Sequence, residues 1–184
     1  MDVYKNFSEI PQLTKGAPYK VNMAWDYIED WLRLENETAK GYSIDLDPSF
    51  QRVHVWDDVR RVRYVEYILR GGLSGKDLYF NHPNWMSSFK GTLVLVDGKQ
   101  RLEAVRKFMN NEIPAFGTLL KDYSGRLPMM KCDFIVNVNN LKTTAEVLQW
   151  YIDLNAGGVA HTDGEIEKVR VMLKKETLKS KRKE

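Results

Sequence analysis

Apolar residues along this chain recur at two different spacings, and the switch between them is sharpest near its middle. Residues 93–96 form a short apolar run that reads as a buried strand; beyond Asp97 and Gly98, Leu102, Val105 and Phe108 fall on one face of a helix. Alternation of period two predicts half-buried strands over 41–46 (Tyr42, Ile44 and Leu46) and over 129–138 (Cys132, Phe134, Val136 and Val138). A shorter strand is expected over 75–80. Helical spacing predicts a helix over 22–37, with Asn22 as its cap and Val21, Trp25, Ile28 and Leu32 as its inner stripe. A second runs over 57–70, with Asp57 and Asp58 at its positive end, Val59, Val62, Val65, Ile68 and Leu69 as its buried face, and Gly71 and Gly72 as its stop. A third, capped by Thr143 or Thr144, carries Val147, Leu148, Tyr151 and Ile152. A last one opens on a capping box formed by Thr162 and Glu165. Residues 1–20, 81–90 and 113–128 lack either period. Strands interleaved with helices predict a mixed α/β or α+β domain.

Composition narrows the class. The 184 residues are 43% hydrophobic and 29% charged, as in an ordinary globular protein. No apolar run approaches the length of a membrane span, and the N-terminus has no signal-peptide pattern. One cysteine, Cys132, leaves no internal disulfide, so the expected compartment is the cytoplasm. Residues 174–184 carry a net +4 and the remainder sums to −1, so the formal +3 belongs to the tail. That tail is either a solvated helix end or a non-specific contact for nucleic acid. Arg60, Arg61 and Arg63 lie off the apolar face of their helix, as exposed arginines or as a phosphate-facing patch. Tyr27 and Trp31 lie off theirs, as cover for the sheet or as a contact for a partner, including a second copy in a homodimer. His82, His161 and Cys132 have no ligand spacing for a structural zinc.

The strand-to-helix turn concentrates the chemistry. A helix that starts directly after a strand aims its first N–H groups, and the positive end of its dipole, beyond the strand's end, where phosphate is the commonest occupant. This turn holds Asp97, Gly98, Lys99, Gln100 and Arg101. Gly98 lets the backbone approach a phosphate. Arg101 offers a planar fork for two phosphate oxygens. Asp97 is the one acid, able to take Mg²⁺ or to orient a water, as Gln100 also could. The plain alternative is an aspartate cap followed by solvated polar residues.

The run LVLVDGKQRLEAV resembles the DGQQR box of the ParB/sulfiredoxin-like superfamily. It is closest to the ParB-like domain at the front of GmrSD-type modification-dependent restriction enzymes. Two further stretches resemble that group in the same order. DPSFQRVHVW, residues 47–56, is similar to an upstream Gln-Arg pair followed by Trp, and LNAGGVAHTDGEI, residues 154–166, to a downstream Asn-Gly-Gly segment. Two departures stand out: Lys99 replaces the usual Gln, and Leu154 precedes Asn155 where related clamps have Glu.

The resemblance implies an α+β fold, a small mixed sheet with flanking helices. It divides the chain into a lead-in and helix over 1–40, a ParB-like domain over 41–173 and a basic tail over 174–184. It also implies a nucleoside-triphosphate site in which Gln51, Arg52, Gly98, Lys99, Arg101 and Asn155 bind nucleotide. Asp97, Gln100 and Arg101 are then the catalytic candidates for hydrolysis, and Asp97 the ligand of Mg²⁺. The implied setting is phage- or mobile-element-encoded and tied to DNA transactions or restriction, with DNA reached through the tail and through Arg60 and Arg63. Trp56 either stacks on a base or packs under the helix that follows. Two other functions compete: a metal-dependent DNA nuclease built on Asp97, and a non-catalytic DNA- or protein-binding module, which the change to Lys99 favours.

Overall fold

The computed structural model describes residues 3, 5–10, 19–36, 41–51, 56–85, 87–128, 130–156 and 163–180. Arg52, His54, Gly157, Gly158, His161 and Thr162 lie outside them, as do the last four residues. The described chain forms one five-stranded mixed sheet in the order β1-β5-β3-β4-β2, built from β1 (Tyr19–Ala24), β2 (Tyr42–Asp45), β3 (Asp77–Asn81), β4 (Gly91–Asp97) and β5 (Asp133–Asn139). β4 pairs antiparallel to β3 and parallel to β2; β5 pairs parallel to β3 and antiparallel to β1. The helices are α1 (Ile28–Glu35), α2 (Asp58–Leu69), α3 (Lys99–Met109), α4 (Thr144–Ala156) and α5 (Asp163–Ser180). The α+β class expected from the sequence is the one observed. No described helix is long and apolar enough to cross a membrane.

Alternation along the strands sorts side chains between two cores. Leu78, Phe80, Leu93, Leu95, Phe134, Val136 and Val138 face the larger one, and meet Trp25, Ile28, Leu32, Val65, Ile68, Leu102, Val105 and Phe108 from α1, α2, α3 and the turn before α1. Val96 faces the opposite way, into a smaller core made by Leu148, Tyr151 and Ile152 of α4 and Val169 of α5. Trp31 is part of the larger core, edge-on to Phe80 with centroids 5.3 Å apart, whereas Tyr27 is half exposed. Cys132, at the mouth of β5, is fully buried, and burial pushes its thiol up to about 11.

Three expectations are corrected. The helix expected over 22–37 begins at Ile28, after a strand and one 3-10 turn over Trp25–Tyr27. Val21, Met23 and Trp25 satisfy period two as well as Val21, Trp25 and Ile28 satisfy the helical one, and tertiary pairing decides between them. Asn22 caps no helix: its amide donates to Asp133 at 2.9 Å, and Asp133 also receives the buried Lys76 ammonium at 2.7 Å. Val59 is 59% exposed, because Asp57 caps α2 and the inward stripe starts only at Val62. The tail's first residues, 174–180, continue α5 as helix. At the head of α4, Thr143 is the capping residue: Glu146 N–H donates to Thr143 Oγ1 while Glu146 Oε2 accepts from Thr143 N–H.

His82, buried beside Trp85, accepts the Asn84 N–H on Nδ1 at 3.1 Å, which puts its proton on Nε2. Burial holds its pKa below the ordinary histidine value of about 6.5. The unfolded chain therefore takes up a proton that the fold refuses, and stability falls as pH drops below that value, towards the folded pKa. Urea unfolding between pH 7.5 and 5.5 is expected to show this decline, with a slope no steeper than one proton's, about 1.4 kcal/mol per pH unit. His82→Gln is expected to flatten it; an unchanged slope would assign the decline to other groups.

Candidate functional site

β4 passes into α3 through a single residue. Gly98 sits at φ +112°, in the left-handed region, and its carbonyl accepts the first helical bond, from Leu102 N–H at 2.9 Å. No side-chain hydrogen bond caps α3, so the expected alternative of an Asp97 cap is not what forms. The carboxylate of Asp97 turns instead to Arg101, whose Nη2 donates to Asp97 Oδ2 at 2.6 Å and to the Asp77 carbonyl at 2.9 Å. Arg101 thus ties α3 to the ends of β3 and β4. A Cβ on residue 98 would lie 2.5 Å from Leu78 Cδ2 and 3.3 Å from Leu78 Cα, so the glycine is required by the packing of β3 whatever occupies the turn.

Beyond this turn lies a hollow of about 70 Å³, lined by Gln51, Trp56, Asp97, Gly98, Lys99, Gln100, Arg101 and Tyr151. Residues from the first two sequence motifs therefore meet in one place. That volume is several times the roughly 10–15 Å³ needed to hold one water, so a small anion has room there.

The polar side chains are already engaged. Gln51 Nε2 donates to the Leu95 carbonyl. Lys99, only 8% exposed, pairs through Nζ with Asp47, whose side chain is 76% exposed. Gln100 Oε1 accepts the Trp56 N–H at 3.1 Å. Two cations and two carboxylates thus offset one another around the hollow. The positive end of α3, worth roughly half an elementary charge, remains as the uncapped attraction for an anion. Trp56 lines the hollow and packs on Tyr64, with centroids 5.5 Å apart. Tyr79 lies close to Asp77 and Asp97, and burial, then those two carboxylates, raises its pKa.

Asn155 is not brought to the hollow. Its Nδ2 donates to the Tyr151 carbonyl at 2.7 Å within the last turns of α4, and it is Tyr151, one turn earlier, that lines the space. Arg60 and Arg63 are exposed on α2, away from the hollow, whereas Arg61 is mostly covered and pairs with Asp58 at 2.7 Å. Among the described residues no three His, Cys, Asp or Glu side chains gather as a metal group, and Asp97 is the one acid in the hollow's lining. A single carboxylate fits Mg²⁺ when phosphate oxygens and water complete the shell, and fits two-metal nuclease chemistry poorly.

Sequence reasoning missed Tyr151, read only as part of an apolar face, and the roles of Asp47 and of the Asp77 carbonyl. Asp47 opens the 47–56 motif, but nothing in the string linked it to Lys99. Comparison of the chain with protein-family models, curated proteins and solved structures finds no match.

Proposed function

We propose that the chain is a nucleoside-triphosphate-binding and -hydrolysing domain of the ParB-like kind, with the terminal phosphate seated at the head of α3. The observation that carries this reading is the meeting of Gln51, from one motif, with residues 97–101, from another, at a helix N-terminus that no side chain caps. Backbone N–H groups in that position favour an anion. The order of the three motifs along the chain supports the same reading.

In this scheme Arg101 pairs with phosphate oxygens from the side of the hollow while keeping its bond to the Asp77 carbonyl. Asp97 would hold Mg²⁺, which would offset the charge of the phosphates. Trp56, which lines the hollow, would contact the sugar or base.

Release of inorganic phosphate from ATP, GTP, CTP and UTP in the presence of Mg²⁺ tests the catalytic half. Wild type is expected to release phosphate from at least one of the four, and Asp97→Asn to slow that release about 100-fold while keeping the fold. Silence with all four nucleotides would withdraw hydrolysis; equal rates for the variant would remove Asp97 from the chemistry.

A further inference from the structure

We infer that the side chains of Lys99 and Gln100 are positioning groups that hold Asp47 and Trp56, which flank Gln51 on the connection between β2 and α2, beside the hollow, and that the ligand meets the backbone N–H groups of Lys99 and Gln100 instead. This deepens the phosphate reading above and rests on it.

Three bonds fasten that segment. Lys99 Nζ holds Asp47, Gln51 Nε2 reaches the Leu95 carbonyl, and Trp56 N–H reaches Gln100 Oε1 at 3.1 Å. Two of the three anchors are neighbouring side chains of the turn itself. They grip the segment near its start and at its far end, on either side of Gln51. The grip at Asp47 is relayed, because Gln51 N–H donates to the Pro48 carbonyl at 2.9 Å, closing a tight turn directly after it. A displaced Asp47 would therefore carry Gln51 with it.

Burial says which way the Lys99 ammonium points. A lysine that collects phosphate from solvent presents its head to solvent; here the head is covered and the exposed partner is the carboxylate lying over it. A covered ammonium is costly without its counter-ion. A phosphate could reach it only by evicting Asp47, and that would loosen the segment which supplies Gln51 and Trp56 to the hollow. Lysine at position 99, the departure noted in the sequence, gains its partner from Asp47 and not from the ligand.

The test is a double-mutant cycle on the full chain, with Lys99→Gln, Asp47→Asn and the double variant, read by calorimetric titration with the nucleotide that wild type binds best. Asp47→Asn leaves the covered Lys99 ammonium without its counter-ion, so urea unfolding of each variant accompanies the titration. Each single change is expected to weaken binding about tenfold, and the double variant no further than either single. Asp47→Glu, which keeps the carboxylate, is expected to restore affinity, a rescue that loss of fold stability alone would not produce. If instead Lys99→Gln weakens binding while Asp47→Asn leaves it unchanged or tightens it, the ammonium touches phosphate and the inference is overturned. Additive losses would overturn it as well. No binding by wild type would defeat the phosphate reading itself, a result separate from either pattern in the cycle.

Discussion

Replacing Gly98 with alanine is expected to destabilise the fold by about 3 kcal/mol. Two costs combine. An L-residue at φ +112° is strained by roughly 1 kcal/mol or more. The added Cβ also meets Leu78 at 2.5 Å through its Cδ2 and at 3.3 Å through its Cα, and the backbone contact cannot be relieved by a rotamer change. Gly71→Ala separates the two costs, since its φ is +91° and nothing lies within 4 Å of the new methyl; it should lose only about 1 kcal/mol. Urea midpoints for the two variants measure the difference. Equal losses would mean that β3 yields to the methyl and that the glycine serves conformation alone.

Arg101→Ala is expected to weaken nucleotide binding about 100-fold or more and to cost about 2 kcal/mol of stability. The two effects share one origin. Its guanidinium is held by Asp97 and by the Asp77 carbonyl, so its removal strips a charge-assisted bond from the sheet's end and leaves Asp97 facing the hollow alone. Arg101→Lys keeps the charge but cannot span two acceptors with a planar fork. It should recover part of the stability and still bind about tenfold more weakly than wild type. Were Arg101→Lys to bind like wild type, charge alone would suffice and the fork would be irrelevant to the ligand.

What could be read from the string, and what could not, follows the range of the interaction involved. The change from apolar run to helical spacing at Asp97 and Gly98 is local, and β4, the turn and α3 form where that change predicted them. The same holds for the alternation that became β5. β1 was hidden because Val21, Met23 and Trp25 fit two periods at once, and only pairing with β5 across more than a hundred residues selects the strand. In the candidate site, the residue types of the turn were legible while their partners were not. Lys99 finds Asp47 fifty-two positions away, and Gln100 finds the Trp56 backbone forty-four away. Those contacts convert two residues that look like ligand groups into neighbours already engaged. Gly98 was read as room for a phosphate, yet Leu78 of β3 already demands it. Asn155 was named from its motif, but the geometry of α4 turns its amide back to the Tyr151 carbonyl.

We propose that the head of α3, with Gln51 and Arg101 beside it, seats the phosphates of a nucleotide. Calorimetric titration of the wild-type chain with ATP, GTP, CTP and UTP, each with and without Mg²⁺, tests it most directly. Saturable binding of at least one of the four is expected, strengthened by Mg²⁺ and lost in Arg101→Ala. Absence of heat from all four at millimolar nucleotide, or binding that Arg101→Ala leaves intact, would contradict it.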